Sequence, residues 1–92
     1  MEKFSDSEIT HRLKELNNWY LDTEAIRKDW QFKDFIEAMT FINRIAELSE
    51  HHNHHPEIFN VYNKVSLRFS THDAGGITVK DVKIAADIDK IS

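Results

Sequence analysis

The sequence contains no cysteine, only one proline and only two glycines in 92 residues. Without cysteine, disulfides, thiolate nucleophiles and all thiolate-based metal and iron–sulfur sites are excluded. The longest apolar runs span a few residues, and the amino-terminal residues lack the basic and apolar segments of a secretion signal. We therefore expect a cytoplasmic protein with no membrane-spanning segment. The chain has twelve basic and sixteen acidic side chains, and the basic ones form no cluster in the sequence. We therefore also expect no direct binding to nucleic acid.

Three segments show the 3.6-residue apolar spacing of helices, and we assign residues 1–92 to one domain. The first helix begins at the capping box Ser5–Glu8 and extends to about Leu16. The second covers Asp34 to about Glu50, and the third begins at Thr78 and continues to the carboxyl terminus.

Short segments rich in aromatic and β-branched residues predict two β-hairpins. The first hairpin pairs Trp19–Leu21 with Ile26–Phe32, and the second lies within Ile58–Ser70. The order α-β-β-α-β-β-α predicts an α+β fold, in which a four-stranded antiparallel sheet packs against three helices.

Two details of these hairpins follow from the apolar pattern. We expect a three-residue loop, Tyr62-Asn63-Lys64, because it places Val61 opposite Val65 and so pairs apolar side chains. Lys28 interrupts the apolar face of its strand, so we expect it near a rim of the sheet, where its charge reaches water.

The second helix has two apolar stripes. The Phe35 stripe falls within an arc of about 60° and is expected to face the core; it consists of Phe35, Met39, Ile42 and Ala46. The Phe41 stripe is displaced by roughly 80–140°, beyond the reach of one sheet face; it consists of Phe41, Ile45 and Leu48. We expect the Phe41 stripe to contact another subunit in a homodimer or homotetramer. The alternative is that the first or third helix covers it.

Four of the six histidines fall in the segment His51-His52-Asn53-His54-His55. The spacing of His51 and His55 would let two imidazoles on a helix share a metal ion. Pro56 interrupts the helix, however, and no cysteine or carboxylate motif completes a site, so we predict no metal. We interpret His51 and His52 as solvated residues at a helix carboxyl end, where a cationic imidazole suits the helix dipole.

His54 and His55 occupy the predicted helix-to-strand turn before Pro56, whereas His72 follows the last predicted strand. Two loops that each carry histidine predict one cleft with several imidazoles. An imidazole with its ordinary pKa of about 6.5 suits proton transfer in either direction at neutral pH.

The pattern Glu50-x-x-x-His54-His55-Pro56 is followed by Phe59–Val65, then Ser70-Thr71-His72, and then Asp81. This order and spacing resembles the signature of the pterin-4a-carbinolamine dehydratases, and the resemblance extends over nearly the whole chain. It implies a small α+β enzyme that removes water from 4a-hydroxytetrahydropterin, a reduced pterin, to give quinonoid dihydropterin. Such enzymes recycle the tetrahydrobiopterin cofactor of aromatic amino-acid hydroxylases.

The resemblance also implies roles for individual residues. His54 and His72 would transfer protons, and His55 would mainly position the substrate. The substrate-binding residues would be Glu50, Pro56, Ser70, Thr71 and Asp81. An acid that protonates the leaving hydroxyl while the nitrogen lone pair forms the C=N bond needs no metal, thiol or organic cofactor. Asp81 also stands where an acid caps the third helix, whatever its part in catalysis.

One departure and one alternative accompany the resemblance. Ile58 stands where many members of the family have tryptophan, which removes an aromatic wall and leaves the preferred pterin side chain open. Some animal relatives also act as dimerisation cofactors of a homeodomain transcription factor, so an interaction protein acting through the second helix is the alternative function. A tetramer of paired dimers is the assembly that the resemblance implies.

Overall fold

Three helices cover one face of a four-stranded antiparallel sheet, which confirms the predicted fold class and element order. The computed structural model describes residues 1–92. Its helices are α1 (Asp6–Leu13), α2 (Phe35–His52) and α3 (Val79–Ile91), and a short 3₁₀ helix (His72–Ala74) precedes α3. Its strands are β1 (Tyr20–Asp22), β2 (Ala25–Gln31), β3 (Glu57–Val61) and β4 (Lys64–Phe69), in the spatial order β1-β2-β4-β3. None of the three helices combines the length and the apolarity needed to cross a membrane.

Side-chain caps begin each helix where the sequence predicts. Ser5, Asp34 and Thr78 each accept a hydrogen bond from a backbone amide of the first helical turn. At Thr78 the capping box is complete, because the Asp81 carboxylate accepts from the Thr78 amide in return. This cap holds Asp81 at the buried start of α3.

The helix α2 ends two residues beyond the predicted boundary near Glu50, and the residue that ends it is Asn53 instead of Pro56. The helix continues to His52, and Asn53 then adopts a left-handed conformation with φ 51°. Asparagine tolerates this conformation better than most residues. The chain therefore reverses at Asn53, before His54, and carries the next residues back toward the sheet.

The predicted register of the second hairpin is wrong. Tyr62 and Asn63 form a two-residue loop, and Val61 lies opposite Lys64 instead of Val65. The Asn60 amide stabilises this loop by donating to the carbonyl oxygen of Lys64 at 2.9 Å. Apolar pairing misled the prediction because Phe59 and Val61 lie on the sheet face turned away from the helices, where they are exposed and stand opposite Ser66 and Lys64.

Lys28 does not lie at a rim of the sheet. It is buried beneath α3, and its ammonium group donates to the Asp89 carboxylate at 2.9 Å. The same carboxylate accepts from the Trp19 indole and the Asn17 amide, each at 2.9 Å. A charge inside an apolar face is thus satisfied by an ion pair, which the strand pattern alone could not indicate.

The Phe41 stripe of α2 does not have the role that we predicted, and the Phe35 stripe has it only in part. Phe41 is buried against Trp30 and Phe32, with ring centroids 4.8 Å and 5.0 Å away. Small residues on the same line, Ala38 and Ser49, are buried and let the helix approach its neighbours closely. The Phe41 stripe therefore packs within the subunit, and its predicted contact with another subunit is wrong. The Phe35 stripe is divided: Phe35 is 45% exposed and Ala46 is exposed, whereas Ile42 is partly buried and packs against the core.

Candidate active site

The His54 ring lies between a carboxylate and an aromatic ring. Its backbone amide donates to the Ser49 carbonyl oxygen at 3.0 Å, which anchors the turn that follows α2. Its Nε2 atom is 2.6 Å from Oδ1 of Asp81. The Phe69 ring stacks on the imidazole with a centroid distance of 5.9 Å and an interplanar angle of 23°. Only 11% of the His54 side chain is exposed, so its orientation is fixed by packing as well as by hydrogen bonding.

The Asp81 carboxylate is fully buried and accepts hydrogen bonds at both oxygens. Oδ2 accepts from the Thr78 amide at 2.8 Å and from the Thr71 hydroxyl at 2.9 Å. Because an ionised carboxylate has no hydrogen to donate, His54 must donate through Nε2–H. This network assigns the tautomer of the neutral imidazole, in which Nδ1 carries the lone pair.

The second nitrogen of His54 is available to a molecule outside the chain. Nδ1 makes no hydrogen bond within the protein, and no buried side-chain nitrogen or oxygen lacks a partner. Nδ1 is therefore open to solvent. An imidazole held by a carboxylate on one nitrogen and free on the other is the arrangement of a general acid or base.

His55 forms a second imidazole–carboxylate pair, which is far more exposed. Its Nε2 atom is 2.5 Å from Oε2 of Glu50, and both side chains are more than half exposed. The next residue, Pro56, is half-buried and leads directly into β3. The Glu50–His55 pair can contact a ligand, but it lacks the packing that fixes His54.

His72 is exposed and makes no side-chain hydrogen bond. It begins the 3₁₀ turn, which Gly75 closes in a left-handed conformation with φ 73°. Its neighbours differ from each other: Ser70 is exposed, whereas Thr71 is buried with its hydroxyl on Asp81. Thr71 thus connects the His72 turn to the carboxylate that holds His54.

The remaining histidines of the cluster lie outside this arrangement. Because α2 ends at His52, His51 and His55 do not share a helical face as the metal hypothesis required. The solvated interpretation fits the exposed His51 but is wrong for His52, whose Nε2 is 2.7 Å from Oδ2 of Asp87. The hydrogen bond from His52 holds the pKa of the Asp87 carboxyl below its ordinary value.

The surface cavities of the subunit do not include the candidate residues. Four cavities of 300–380 Å³ are present, and neither His54, His55 nor His72 lines any of them. The cavity nearest to His72 along the chain has a volume of 340 Å³ and is lined by Gly75, Gly76 and Ile77 among others. Outside these cavities, His55 and His72 are exposed, whereas His54 is almost buried.

Sequence reasoning missed Phe69 and Thr78 as parts of the site. The capping signature Thr78-x-x-Asp81 already predicts the hydrogen bond from the Thr78 backbone amide to the Asp81 carboxylate. We interpreted that bond only as a helix cap and not as part of the site. The apolar alternation of β4 predicts a buried Phe69, but it does not indicate that His54 stacks on it. No pattern in the sequence indicates the bond from Thr71 to Asp81.

Comparisons with known proteins agree on one family. A sequence profile described as Pterin 4 alpha carbinolamine dehydratase matches residues 2–91. A Solibacter usitatus protein, provisionally named a pterin-4-alpha-carbinolamine dehydratase, is 43% identical over 90 residues, which cover 98% of this chain and 95% of that protein. A protein of the same name from Sulfurisphaera tokodaii is 41% identical over 91 residues, covering 99% and 98% of the two chains. The crystal structure of a transcriptional coactivator/pterin dehydratase from Brucella melitensis covers 98% of both chains with a TM-score of 0.91 and 37% identity.

Proposed function

The chain belongs to the pterin-4-alpha-carbinolamine dehydratase family of hydro-lyases, and we propose that it removes water from a 4a-hydroxytetrahydropterin by histidine acid–base catalysis. The observation that carries this proposal is the pair of His54 and Asp81. It leaves one oriented imidazole nitrogen, Nδ1, open to a bound molecule.

The reaction requires two proton movements that an imidazole can perform. The bond from C4a to the hydroxyl oxygen breaks, while the electron pair of the adjacent ring nitrogen forms the C=N bond. The oxygen leaves as water after it receives a proton from an acid, and the ring nitrogen loses its own proton to a base. A positioned acid or base contributes about 10²–10⁴-fold to such a step.

We assign the two proton transfers to His54 and His72. His54 is supported by its fixed tautomer, and His72 by family resemblance together with two ring nitrogens that no other side chain occupies. Asp81 is fully buried, so it orients His54 and does not contact the substrate. His55, oriented by Glu50, would position the pterin, and Pro56 and Ser70 would border it.

The physiological setting follows from the family resemblance. We place the reaction in the recycling of tetrahydrobiopterin, where the quinonoid product returns to the reduced cofactor. Ile58 is 42% exposed and presents an aliphatic surface where many relatives have an aromatic ring, so we expect weaker stacking on the substrate. A cytoplasmic location and the absence of nucleic-acid binding stay predictions.

We also propose that the chain forms a homodimer or homotetramer through the exposed start of α2, at Phe35 and Ile36, in place of the Phe41 stripe. Phe35 is 45% exposed, and the adjacent Ile36 is 72% exposed on the same helix. Two large apolar side chains exposed side by side at the start of a helix favour a contact with another subunit.

The alternative function is that of an interaction protein. The same exposed surface of α2 favours it, because that surface would also accommodate a helix of another protein. The name of the Brucella melitensis structure couples a coactivator with a pterin dehydratase, which is consistent with either function in this family. An interaction protein has no need of an oriented His54, so turnover separates the two hypotheses.

The test is the dehydration of freshly generated 4a-hydroxytetrahydropterin, measured with and without a metal chelator. We expect turnover above the spontaneous rate that the chelator does not change and that His51→Ala, a control in the same segment, retains. A rate no higher than the spontaneous one would refute the dehydratase proposal. A rate abolished by the chelator would refute metal-free catalysis.

A further inference from the structure

The hydroxyl groups of Thr71 and Thr78 form a hydrogen-bond chain that ends on the site carboxylate. The two hydroxyl oxygens are 2.7 Å apart, and the Thr71 oxygen lies 2.9 Å from Oδ2 of Asp81. Thr78 and Asp81 are fully buried and Thr71 is 8% exposed, so water does not compete for these bonds. Neither threonine is required at this depth by packing alone, because valine has the same shape.

The direction of each bond follows from the available hydrogens. Each hydroxyl has one hydrogen to donate, and the carboxylate can only accept. If Thr71 donates to Asp81, Thr78 must donate to Thr71. Thr78 can do so because its oxygen already accepts from the Lys80 amide at 3.2 Å. The chain therefore points in one direction, from the Lys80 amide through both hydroxyls to the carboxylate.

A chain of aligned hydrogen bonds in a buried environment is stronger than its separate members. It fixes Oδ2 of Asp81 and leaves Oδ1 as the only acceptor that faces His54. We propose that Thr71 is a positioning residue: through Thr78–Thr71–Asp81 it holds His54 in the Nε2–H tautomer, with Nδ1 presented to the substrate. This inference rests on the proposed dehydratase function for its kinetic consequence, but its structural part does not. It differs from the substrate-binding role implied by family resemblance, because the Thr71 hydroxyl faces Asp81.

Two substitutions separate the hydroxyl from the volume of the side chain. Thr71→Val removes the hydroxyl at nearly constant volume, and Thr71→Ser keeps it. We expect Thr71→Val to lower kcat by about tenfold with KM changed less than about twofold, and Thr71→Ser to stay close to wild type. In ¹⁵N NMR spectra of the neutral His54 ring, Thr71→Val should show a mixture of tautomers where the wild type and Thr71→Ser show Nε2–H alone.

The control is Asp89→Asn. Asp89 lies on the same helix and also accepts three hydrogen bonds, but its donors are Lys28, Trp19 and Asn17. The Asp89→Asn variant should have a lower melting temperature but an unchanged kcat and an unchanged His54 tautomer. If Thr71→Val does not fold, Thr71→Ala replaces it in the same comparison.

Three results would overturn the proposal: an unchanged kcat in Thr71→Val, a raised KM with normal kcat, or a lower kcat with the tautomer intact. The NMR measurement needs no substrate, so a failure of the dehydratase assignment leaves it fully informative. Conversely, an intact tautomer in a catalytically active Thr71→Val variant refutes the positioning role alone.

Discussion

Asp81 determines which nitrogen of His54 is left free, and under the proposed function this is the nitrogen that exchanges a proton with the substrate. Its two oxygens have different partners: one faces the imidazole, and the other accepts from Thr71 and Thr78. The carboxylate would also stabilise the imidazolium that forms when Nδ1 takes up a proton. The sequence indicated Asp81 only as a helix cap and, by resemblance, as a site residue; three-dimensional contacts join the two roles.

Replacing this carboxylate by an amide should reverse the tautomer. In Asp81→Asn the amide oxygen would take the place that accepts from Thr71 and Thr78, so its NH₂ group would face His54. Nε2 would then have to accept, and the hydrogen would move to Nδ1. We expect kcat to fall by about 10²–10⁴-fold, measured in the dehydration assay. Asp89→Asn is the matched control, and an Asp81→Asn variant with normal kcat would contradict the orienting role.

His55 should respond differently from His54. Its pair with Glu50 is exposed and lacks an aromatic ring beneath it, so it suits contact with the ground-state substrate. We expect His55→Ala mainly to raise KM, whereas His54→Ala mainly lowers kcat, because a group that transfers a proton acts in the transition state. Steady-state kinetics of both variants test this split. Equal losses of kcat in the two would contradict the division of roles.

At the scale of elements, the sequence predicted where helices and strands begin more reliably than which way they face. Ser5, Asp34 and Thr78 are local signals, and the structure uses all three as caps. The face of α2 depends on what packs against it. Counting large apolar residues favoured the Phe35 stripe, whereas the small residues Ala38 and Ser49 mark the side that approaches the core.

The same limit applies to the second hairpin and to Lys28. The register of β3 and β4 follows from a left-handed Tyr62 and the side chain of Asn60, and neither effect is visible in apolar alternation. The buried position of Lys28 could not be predicted without knowing that α3 places Asp89 above β2. Of the site, the histidine pair and its neighbours were predicted through resemblance, while the contacts of Thr71 depended on the folded chain.

The pair of His52 and Asp87 joins the end of α2 to α3. Its contribution to the stability of the protein should depend on pH. The hydrogen bond from His52 lowers the pKa of Asp87 in the folded state. Its stabilising effect is therefore complete above the unfolded pKa of about 3.9 and is lost as the pH falls through the lower folded value.

Asp87→Asn should accordingly reduce the free energy of unfolding at about pH 5 by only about 0.2–1 kcal/mol, because the carboxylate is 38% exposed. Denaturant titrations at about pH 5 and about pH 2 measure the effect, and the two proteins should differ less at the lower pH. Asp73→Asn, at an exposed carboxylate on the short 3₁₀ turn, is the control. A difference that grows on acidification would contradict the account.

At the scale of the whole molecule, the exposed side of α2 is where we expect a second subunit. Phe35→Glu combined with Ile36→Glu should reduce the mass measured by light scattering to that of a smaller assembly or a monomer, while circular dichroism stays unchanged. Thr10→Glu, at an exposed position on α1 and so outside the proposed interface, should keep the wild-type mass. Substitutions at Phe41 are unsuitable for this test, because that side chain belongs to the core and its loss would unfold the subunit. An unchanged mass in the folded double variant would remove the proposed interface.

The central claim is that His54 and His72 together supply the proton transfers of the dehydration. The most direct test is kcat of the doubly substituted His54→Ala/His72→Ala protein, compared with each single variant and with His51→Ala, after circular dichroism has confirmed its fold. If either imidazole partly replaces the other, each single variant keeps partial activity and the double variant loses far more, approaching the spontaneous rate. Near-normal turnover in the well-folded double variant would contradict histidine catalysis in this protein.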